Sequence, residues 1–204
     1  MKAIEIEGQI AEAADPRVYA GIDAMHKVTR LCNGAKFDAA TIDRPVAERV
    51  IKGDPTDTAL LRFSEALSVP SLNINTSSLL ENSRRLFEIP FNSKNKWMLS
   101  VIEANDVVNG DISEKRGKTW MFAKGAPDIL FRACSTVMKS DGSVVPFDDS
   151  AKEQFSVIQS SWSSEGQRVL ALCVFHCFPW GRVRSRIVQM PQTARGVQGA
   201  PAPE

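Results

Sequence analysis

Near the end of the sequence, one short segment contains three residues of types that can bind a metal ion: Cys173, His176 and Cys177. Thiolates and imidazoles are the ligands that zinc prefers. The surrounding run QRVLALCVFHCF is mostly apolar and predicts a final, buried strand. Side chains on a strand alternate between its faces, so the two cysteines share one face and His176 lies on the other. We therefore predict no metal site here.

Signatures of other chemistries are absent from the sequence. It contains no G-x-x-x-x-G-K-[ST], G-x-G-x-x-G, H-E-x-x-H or G-x-S-x-G. His26 is the only other histidine, and no spacing supports a Ser-His-Asp or Cys-His arrangement. We predict no catalytic residue in this chain.

Two segments in the first third of the chain have clear helix signals. Asp15-Pro16 supplies a cap and a first helical residue, apolar residues follow at helical spacing, and Asn33-Gly34 supplies the stop. Asp54-Pro55 begins a second helix in the same way, with Asp57 in the place of a capping-box acid. We predict a loop and a short helix within 68–82.

Further along, the sequence predicts a sheet flanked by helices. Short runs rich in aromatic and branched residues predict strands at 84–91, 96–103 and 118–125. The polar stretch 104–117 predicts an exposed hairpin loop. Apolar patterning also predicts two helices, which cover 128–138 and 150–166. The expected fold is therefore α/β (α+β), with a largely antiparallel sheet.

The composition is that of an ordinary globular protein. The chain has 204 residues with a formal net charge of +1, 43% hydrophobic and 24% charged residues. The near-zero charge argues against nucleic acid as a partner. The longest apolar stretch, Val169 to Phe178, is shorter than the roughly 20 residues of a membrane span, and acidic residues in the first segment argue against a signal peptide. Four scattered cysteines favour a reducing compartment, so we expect a soluble protein on the cytoplasmic side.

The chain divides into three parts. We expect a lead segment at 1–19, one domain at 20–178, and a tail at 179–204. The tail is basic and contains proline and glycine, a composition typical of disorder, although a regulatory tail is an alternative.

Four separated segments carry a resemblance to a known family. They are GDPTDTALL at 53–61, EIPFNSKNK at 88–96, MFAKGAPD at 121–128 and GQRVL at 166–170. Together, and in this order, they resemble the nucleotide-binding domain of P-type cation-transporting ATPases. EIPFNSKNK, with LCNGAKF upstream, is most similar to the type II group that includes the Na+,K+- and H+,K+-ATPases. The resemblance covers roughly residues 20–178.

The resemblance implies ATP as ligand, with Mg2+ accompanying the nucleotide, and it assigns a role to six residues. Phe91 would stack on adenine, an interaction worth about 1–3 kcal/mol. Lys96, Lys124 and Gly125 would line the site, with Gly125 allowing close approach to the base. Arg168 would contact the phosphates through its forked guanidinium. Asp57 would lie near the adenine amine.

Each of these residues also has an ordinary structural explanation. Phe91 could be a core phenylalanine, and lysines at strand ends are commonly solvated charges. Asp57 could be a helix-capping carboxylate. The family more often has glutamate at that place, and aspartate is one methylene shorter, so we expect a water bridge to the amine instead of a direct bond.

The family's catalytic apparatus is absent from the sequence. It has no D-K-T-G-T aspartate to accept a phosphoryl group, no T-G-E-S-type loop, no T-G-D-G-x-N-D segment and no membrane helices. The resemblance therefore implies binding without hydrolysis or transport. In a longer parent, the partners would be phosphorylation and actuator domains. The alternative is a truncated, non-catalytic interaction or pseudogene-like product that keeps the fold but has lost nucleotide binding.

Overall fold

The computed structural model describes residues 16–67, 76–104, 118–139, 143–177 and 183–188. The predicted lead segment, the stretch 68–75 and the predicted hairpin loop after Ala104 lie outside these ranges. The helices are α1 (Pro16–Leu31), α2 (Pro55–Ala66), α3 (Thr76–Glu81), α4 (Pro127–Leu130) and α5 (Asp149–Ser164). The strands are β1 (Lys36–Phe37), β2 (Ile51–Lys52), β3 (Ser83–Ile89), β4 (Trp97–Ala104), β5 (Lys118–Gly125), β6 (Thr136–Met138), β7 (Val144–Pro146), β8 (Ala171–Cys177) and β9 (Val183–Val188).

One seven-stranded sheet organises these elements, in the order β3-β4-β5-β8-β9-β6-β7. Its neighbouring strands are antiparallel except for β6 and β9, which are parallel. A separate antiparallel pair, β1 and β2, precedes α2. The predicted fold class, a largely antiparallel sheet flanked by helices, is confirmed.

Each face of the sheet carries its own buried core. On the first face α1 places Met25 and Val28 against Ile102 of β4 and Phe122 of β5. On the second face, Phe131, Phe147 and Phe155 pack edge to face in a mutual triad, with ring centroids 5.3 to 5.7 Å apart. Edge-to-face packing adds to the burial energy of such rings. Both faces of the sheet are therefore covered by packed apolar side chains near its centre.

Two buried cysteines also lie in the second core. The Sγ atoms of Cys134 and Cys173 are 3.6 Å apart, and both thiols are free. The hydrogen bond with the Cys134 sulfur, and then burial, raise the pKa of Cys173, so this thiol stays protonated and packs as a small apolar group.

Arginine side chains fix the ends of irregular segments. Arg85 of β3 donates from Nη2 to the carbonyls of Leu31, at 2.9 Å, and Asn33, at 3.0 Å, which satisfies the end of α1. Arg62 of α2 donates to carbonyls of the short 3-10 turn Val46–Glu48 and of Arg49. The bonds from Arg85 hold helix α1 and strand β3 in one position relative to each other, and those from Arg62 hold the segment 46–49 against α2.

Two of the sequence-based predictions are wrong. The helix expected over 128–138 is only the single turn α4, followed by a 3-10 turn at Phe131–Ala133 and by strand β6. Apolar residues there contact β9 and β7, and such pairing between distant segments overrides local helical spacing.

The disorder expected for the tail does not hold for Val183–Val188. These residues form β9, which pairs with β8 on one side and β6 on the other. The run predicted as the final strand is therefore the internal strand β8. The rest of 179–204 lies outside the described residues. Within the described ranges, no helix is long and apolar enough to cross a membrane.

Candidate functional site

The strand register brings the predicted site residues to one end of the sheet. Ile89, the last residue of β3, pairs with Leu99, and Trp97, the first residue of β4, pairs with Gly125 at the end of β5. Gly125 in turn pairs with Ala171 at the start of β8. The segments carrying Phe91, Lys96, Lys124 and Arg168 therefore meet at the same end of the sheet.

Asp57 and Lys124 form a buried ion pair at this end. Lys124 Nζ donates to Asp57 Oδ1, and the two residues are 4% and 5% exposed. Lys124 is flanked in register by Met98 of β4 and Leu172 of β8, both of which belong to the first core. Taking a lone charge out of water is costly, and each partner offsets that cost for the other.

The second oxygen of Asp57 is bound by the turn that follows α1. Gly34 N donates to Asp57 Oδ2 at 2.7 Å, and Asn33 Nδ2 donates to the Asp57 carbonyl at 3.1 Å. Asn33 Oδ1 accepts from Ala35 N at 2.8 Å, so the turn is itself fixed. The carboxylate is thus enclosed between this turn and Lys124.

This arrangement differs from a helix cap. The N-cap of α2 is Asp54, whose side chain accepts from Thr56 N and Asp57 N. Asp57 occupies the capping-box position, but its two carboxylate oxygens bind Gly34 and Lys124. Gly34 lies close to this carboxylate, since a Cβ on Gly34 would be 3.2 Å from Oδ2.

Close backbone packing requires a glycine at position 125. A Cβ there would lie 2.5 Å from Lys96 O and 2.7 Å from Trp97 Cα, a distance that real Cβ atoms do not adopt. Ala126 N donates to the same Lys96 carbonyl at 2.9 Å. The sequence interpretation, in which Gly125 makes room for a base, missed this backbone contact with the β3–β4 turn.

Phe91 and Lys96 frame that turn. Lys96 N donates to Asn92 O at 2.8 Å, and Asn95 N donates to Asn92 Oδ1 at 2.8 Å. Lys96 closes the turn with a φ of 62°, which a residue with a side chain rarely adopts. Phe91 is 57% exposed, so its alternative assignment as a core phenylalanine is wrong. Its ring is available to a flat ligand.

Arg168 approaches the same end from the loop before β8. Its Nη1 donates to Thr56 Oγ1 at 2.8 Å, across 112 residues of sequence, and the side chain is exposed. Thr56 lies in the first turn of α2, whose free N–H groups at Thr56 and Asp57 are capped by the Asp54 side chain. Thr56 and Gly34 are the residues that sequence reasoning missed. Thr56 stands inside the GDPTDTALL motif, whereas nothing in the sequence links Gly34 to Asp57.

Cys32 completes the buried surroundings of the ion pair. Its Sγ lies 3.7 Å from Met98 O, and the residue is fully buried. Burial raises the pKa of the Cys32 thiol to about 11 despite the nearby Lys124 ammonium. The thiol is therefore neutral at physiological pH and leaves the charge of the pair unchanged.

No protein metal centre is formed by the part of the chain that the structure describes, where no group of three His, Cys, Asp or Glu side chains converges. The side chains of His176 and Cys177 are outside that part.

Comparison with known proteins agrees with the motif resemblance. The family model for the P-type ATPase cytoplasmic domain N matches residues 21–184. The potassium-transporting ATPase alpha chain 2 of Oryctolagus cuniculus is 32% identical over 174 residues, which is 82% of this chain and 15% of the relative. The alpha chain 1 of Xenopus laevis is 36% identical over 150 residues, covering 74% of this chain and 13% of the relative.

The sodium pumps give the same result. The sodium/potassium-transporting ATPase subunit alpha-A of Artemia franciscana is 32% identical over 155 residues, 76% of this chain and 14% of that protein. The chain thus spans about 13 to 15% of the length of these relatives. By its fold, its motifs and these matches, the chain belongs to the family of P-type ATPase cytoplasmic N domains.

Proposed function

We propose that this chain binds ATP, with Mg2+ accompanying the nucleotide phosphates, at the end of the sheet formed by Phe91, Lys96, Lys124 and Arg168. The observation that carries the proposal is their convergence. An exposed aromatic ring, a buried ammonium and two exposed cations meet where β3, β4, β5 and β8 share one end. A flat base and a polyanionic tail need these groups together.

Each residue has a distinct task in this proposal. Phe91 stacks on the adenine ring, and Lys124 donates a hydrogen bond to the base. Lys96 and Arg168 face the phosphates, with Thr56 holding Arg168 in place. Gly125 keeps the turn that carries Phe91 against β5, and Asp57 holds Lys124.

The chain binds without turning nucleotide over, because its sequence has no D-K-T-G-T aspartate. In a longer polypeptide on the cytoplasmic side of a membrane pump, it would deliver the γ-phosphate to an aspartate of a phosphorylation domain, with an actuator domain as the other partner. Such delivery needs closure of one domain on another. Purified chain incubated with Mg-ATP should release no phosphate, and ATPase activity would contradict this part of the proposal.

Titration with a fluorescent ATP analogue tests the site. We expect the analogue to bind and ATP to displace it. Phe91→Ala should weaken binding by about 1–3 kcal/mol through lost stacking. Phe87→Ala is a matched control, because Phe87 is also 57% exposed and lies in β3, the strand that leads to Phe91. Equal losses in both variants would contradict the assignment of Phe91.

A charge reversal tests the buried end of the site. Lys124→Glu should abolish binding, whereas Lys139→Glu, which makes the same change at an exposed lysine after β6, should leave it intact. Circular dichroism would establish that both variants are folded. Undiminished binding by folded Lys124→Glu would remove Lys124 from the site.

The alternative function, a folded interaction module without nucleotide affinity, has a separate test. A ligand that binds only the folded state raises its apparent stability. ATP at millimolar concentration should raise the melting temperature of the wild-type chain. No shift would favour the alternative.

A further inference from the structure

Strand β3 contains one extra residue, between Arg85 and Phe87, where its register with β4 shifts. Arg85 pairs with Ile102, and Glu88 pairs with Ser100. Because Ile102 and Ser100 are two residues apart on β4, their side chains lie on one face of the sheet, and so do those of their partners. Residues three apart on a regular strand face opposite sides, so the extra residue is what allows Arg85 and Glu88 to form their ion pair.

Arg85 binds its own strand with one guanidinium nitrogen and helix α1 with the other. Its Nη1 donates to Glu88, and its Nη2 donates to the carbonyls of Leu31, at 2.9 Å, and Asn33, at 3.0 Å. Carbonyls at the end of a helix lack intrahelical donors and attract a cation. Glu88 thus orients the guanidinium, and Arg85 fastens the turn after α1 to β3.

The turn that Arg85 holds is the one that binds Asp57. Gly34 N donates to Asp57 Oδ2 at 2.7 Å, and Asn33 Nδ2 donates to the Asp57 carbonyl at 3.1 Å. Asp57 Oδ1 accepts from Lys124 Nζ. A continuous path of contacts therefore runs from β3 through this turn to the Lys124 ammonium.

Arg85 thereby connects the two sides of the proposed site. Phe91 follows β3, which is the edge strand of the described sheet and pairs only with β4. Asp57 lies on α2, outside the sheet. The sheet fixes the backbone of Lys124, but the direction of its ammonium depends on Asp57 and hence on the turn. Binding groups of this kind act well only where supporting residues hold them in position.

We propose that Arg85 is a positioning residue of the nucleotide site, which holds the turn after α1 against β3 and so sets where the Lys124 ammonium lies relative to a base on Phe91. The inference rests on the proposed function, because it takes the base to lie against Phe91 and Lys124. Arg85 acts through the turn and does not touch the nucleotide. The adjacent Arg84 instead pairs with Glu103 on the opposite face of the sheet, which makes it the matched control.

Arg85→Gln and Arg84→Gln make the same chemical change at adjacent positions of β3. The side chains are 39% and 74% exposed, so we expect both variants to fold, which circular dichroism checks. In titrations with the fluorescent ATP analogue, Arg85→Gln should weaken binding about three- to tenfold, and Arg84→Gln should leave it unchanged. Wild-type affinity in folded Arg85→Gln, or equal losses in both variants, overturns the inference and leaves the proposed function standing. Absence of binding by the wild-type chain overturns both.

The amide of Gly34 reports the path in the ligand-free chain. Its 15N–1H resonance should move, and its exchange with solvent should become faster, in Arg85→Gln but not in Arg84→Gln, because only the first change frees the turn from β3. Weaker nucleotide binding by Arg85→Gln with an unchanged Gly34 resonance would show that the guanidinium acts by another path and would contradict the inference.

A comparison of ATP with AMP separates the effect of position from that of charge. Arg85→Gln also removes one positive charge, which a triphosphate feels more strongly than a monophosphate. If Arg85 acts by position, displacement of the analogue should show the same fold loss for ATP and AMP, because both carry the same base. A loss found with ATP alone would assign Arg85 to the phosphates and overturn the inference. If Arg85→Gln does not fold, Arg85→Lys, which keeps the charge but loses the forked geometry, replaces it with Arg84→Lys as control, and the same outcomes decide.

Discussion

At the scale of single residues, we expect both the stability of the domain and the proposed nucleotide site to depend on the Asp57–Lys124 pair. Because both side chains are buried, removal of one leaves the other charged and unpaired. Asp57→Asn and Lys124→Met should each lower the free energy of unfolding by about 3–5 kcal/mol. The double variant should lose much less than the sum. Urea unfolding of the four proteins measures the coupling energy.

The exposed pair Arg84–Glu103 is the control for that cycle. Its Nη2–Oε2 distance is 2.8 Å, but the side chains are 74% and 38% exposed. Water and salt screen such pairs, so its coupling should be below about 1 kcal/mol. A coupling at Asp57–Lys124 as small as this would show that burial does not make the pair important.

Because His26 is buried, we expect the stability of the domain to fall at acidic pH. The ring is 1% exposed and Nε2 lies 3.0 Å from Thr76 Oγ1. Burial, aided by the cations Lys27 and Arg30, lowers the pKa of His26 from 6.5 to about 4. Protonation therefore favours the unfolded chain, and the contribution of His26 to stability is lost as the pH falls from about 6.5 to about 4.

The full loss corresponds to roughly 3 kcal/mol, from about 1.36 kcal/mol for each unit of pKa. Urea unfolding at pH 7 and at pH 4.5 measures most of this loss, which is complete only below the folded-state pKa of about 4. His26→Gln removes the titration, so the difference between the proteins isolates this residue from the carboxylates that titrate in the same range. Parallel pH profiles for wild type and variant would contradict the assignment.

At the scale of elements, the contact between the β3–β4 turn and the end of β5 decides where Phe91 lies. Gly125→Ala would place a Cβ 2.5 Å from Lys96 O. The turn must move, so we expect a loss of stability of a few kcal/mol together with weaker nucleotide binding. Thermal unfolding and the fluorescent titration measure the two effects.

Gly166→Ala is the comparison for that variant. Gly166 has a φ of 77°, and a Cβ there would meet nothing within 4 Å. The strained backbone should cost about 1 kcal/mol without moving the turn, so nucleotide affinity should be unchanged. Equal effects of the two variants on affinity would contradict a role for the close approach.

The sequence predicted a helix or strand well where the signals for it lie within its own residues. Proline and aspartate at the starts of α1 and α2, and branched or aromatic runs at β3, β4 and β5, predicted these elements close to their observed bounds. Strand β6 was missed because its three residues become a strand only by pairing with segments elsewhere. Hydrogen bonds between Gly34 and Asp57, or Arg168 and Thr56, likewise join residues that local patterns do not connect.

At the scale of the whole molecule, β9 joins the two parts of the sheet. Strand β8 pairs with β9 from Leu172↔Val188 to Cys177↔Val183, and β9 continues to β6 through pairs such as Val137↔Ile187. The β6–β7 hairpin has no other strand neighbour in the described sheet. The second core includes residues of that hairpin, such as Val137, together with Cys173 of β8. Loss of β9 therefore exposes backbone on two strands and loosens the second core.

Truncation tests this dependence. A chain ending at residue 182 should unfold at lower urea concentration than wild type. The amides of β8 that bond to β9 should exchange faster with solvent, because their partners are gone, whereas those that bond to β5 keep theirs. A chain ending at residue 190 retains β9 and should behave as wild type. Ile187→Pro, in the intact chain, removes one backbone N–H from the middle of the same strand and should give the same direction of change. If the chain ending at 182 keeps wild-type stability and exchange, then β9 does not hold the sheet together, and the domain would end at β8.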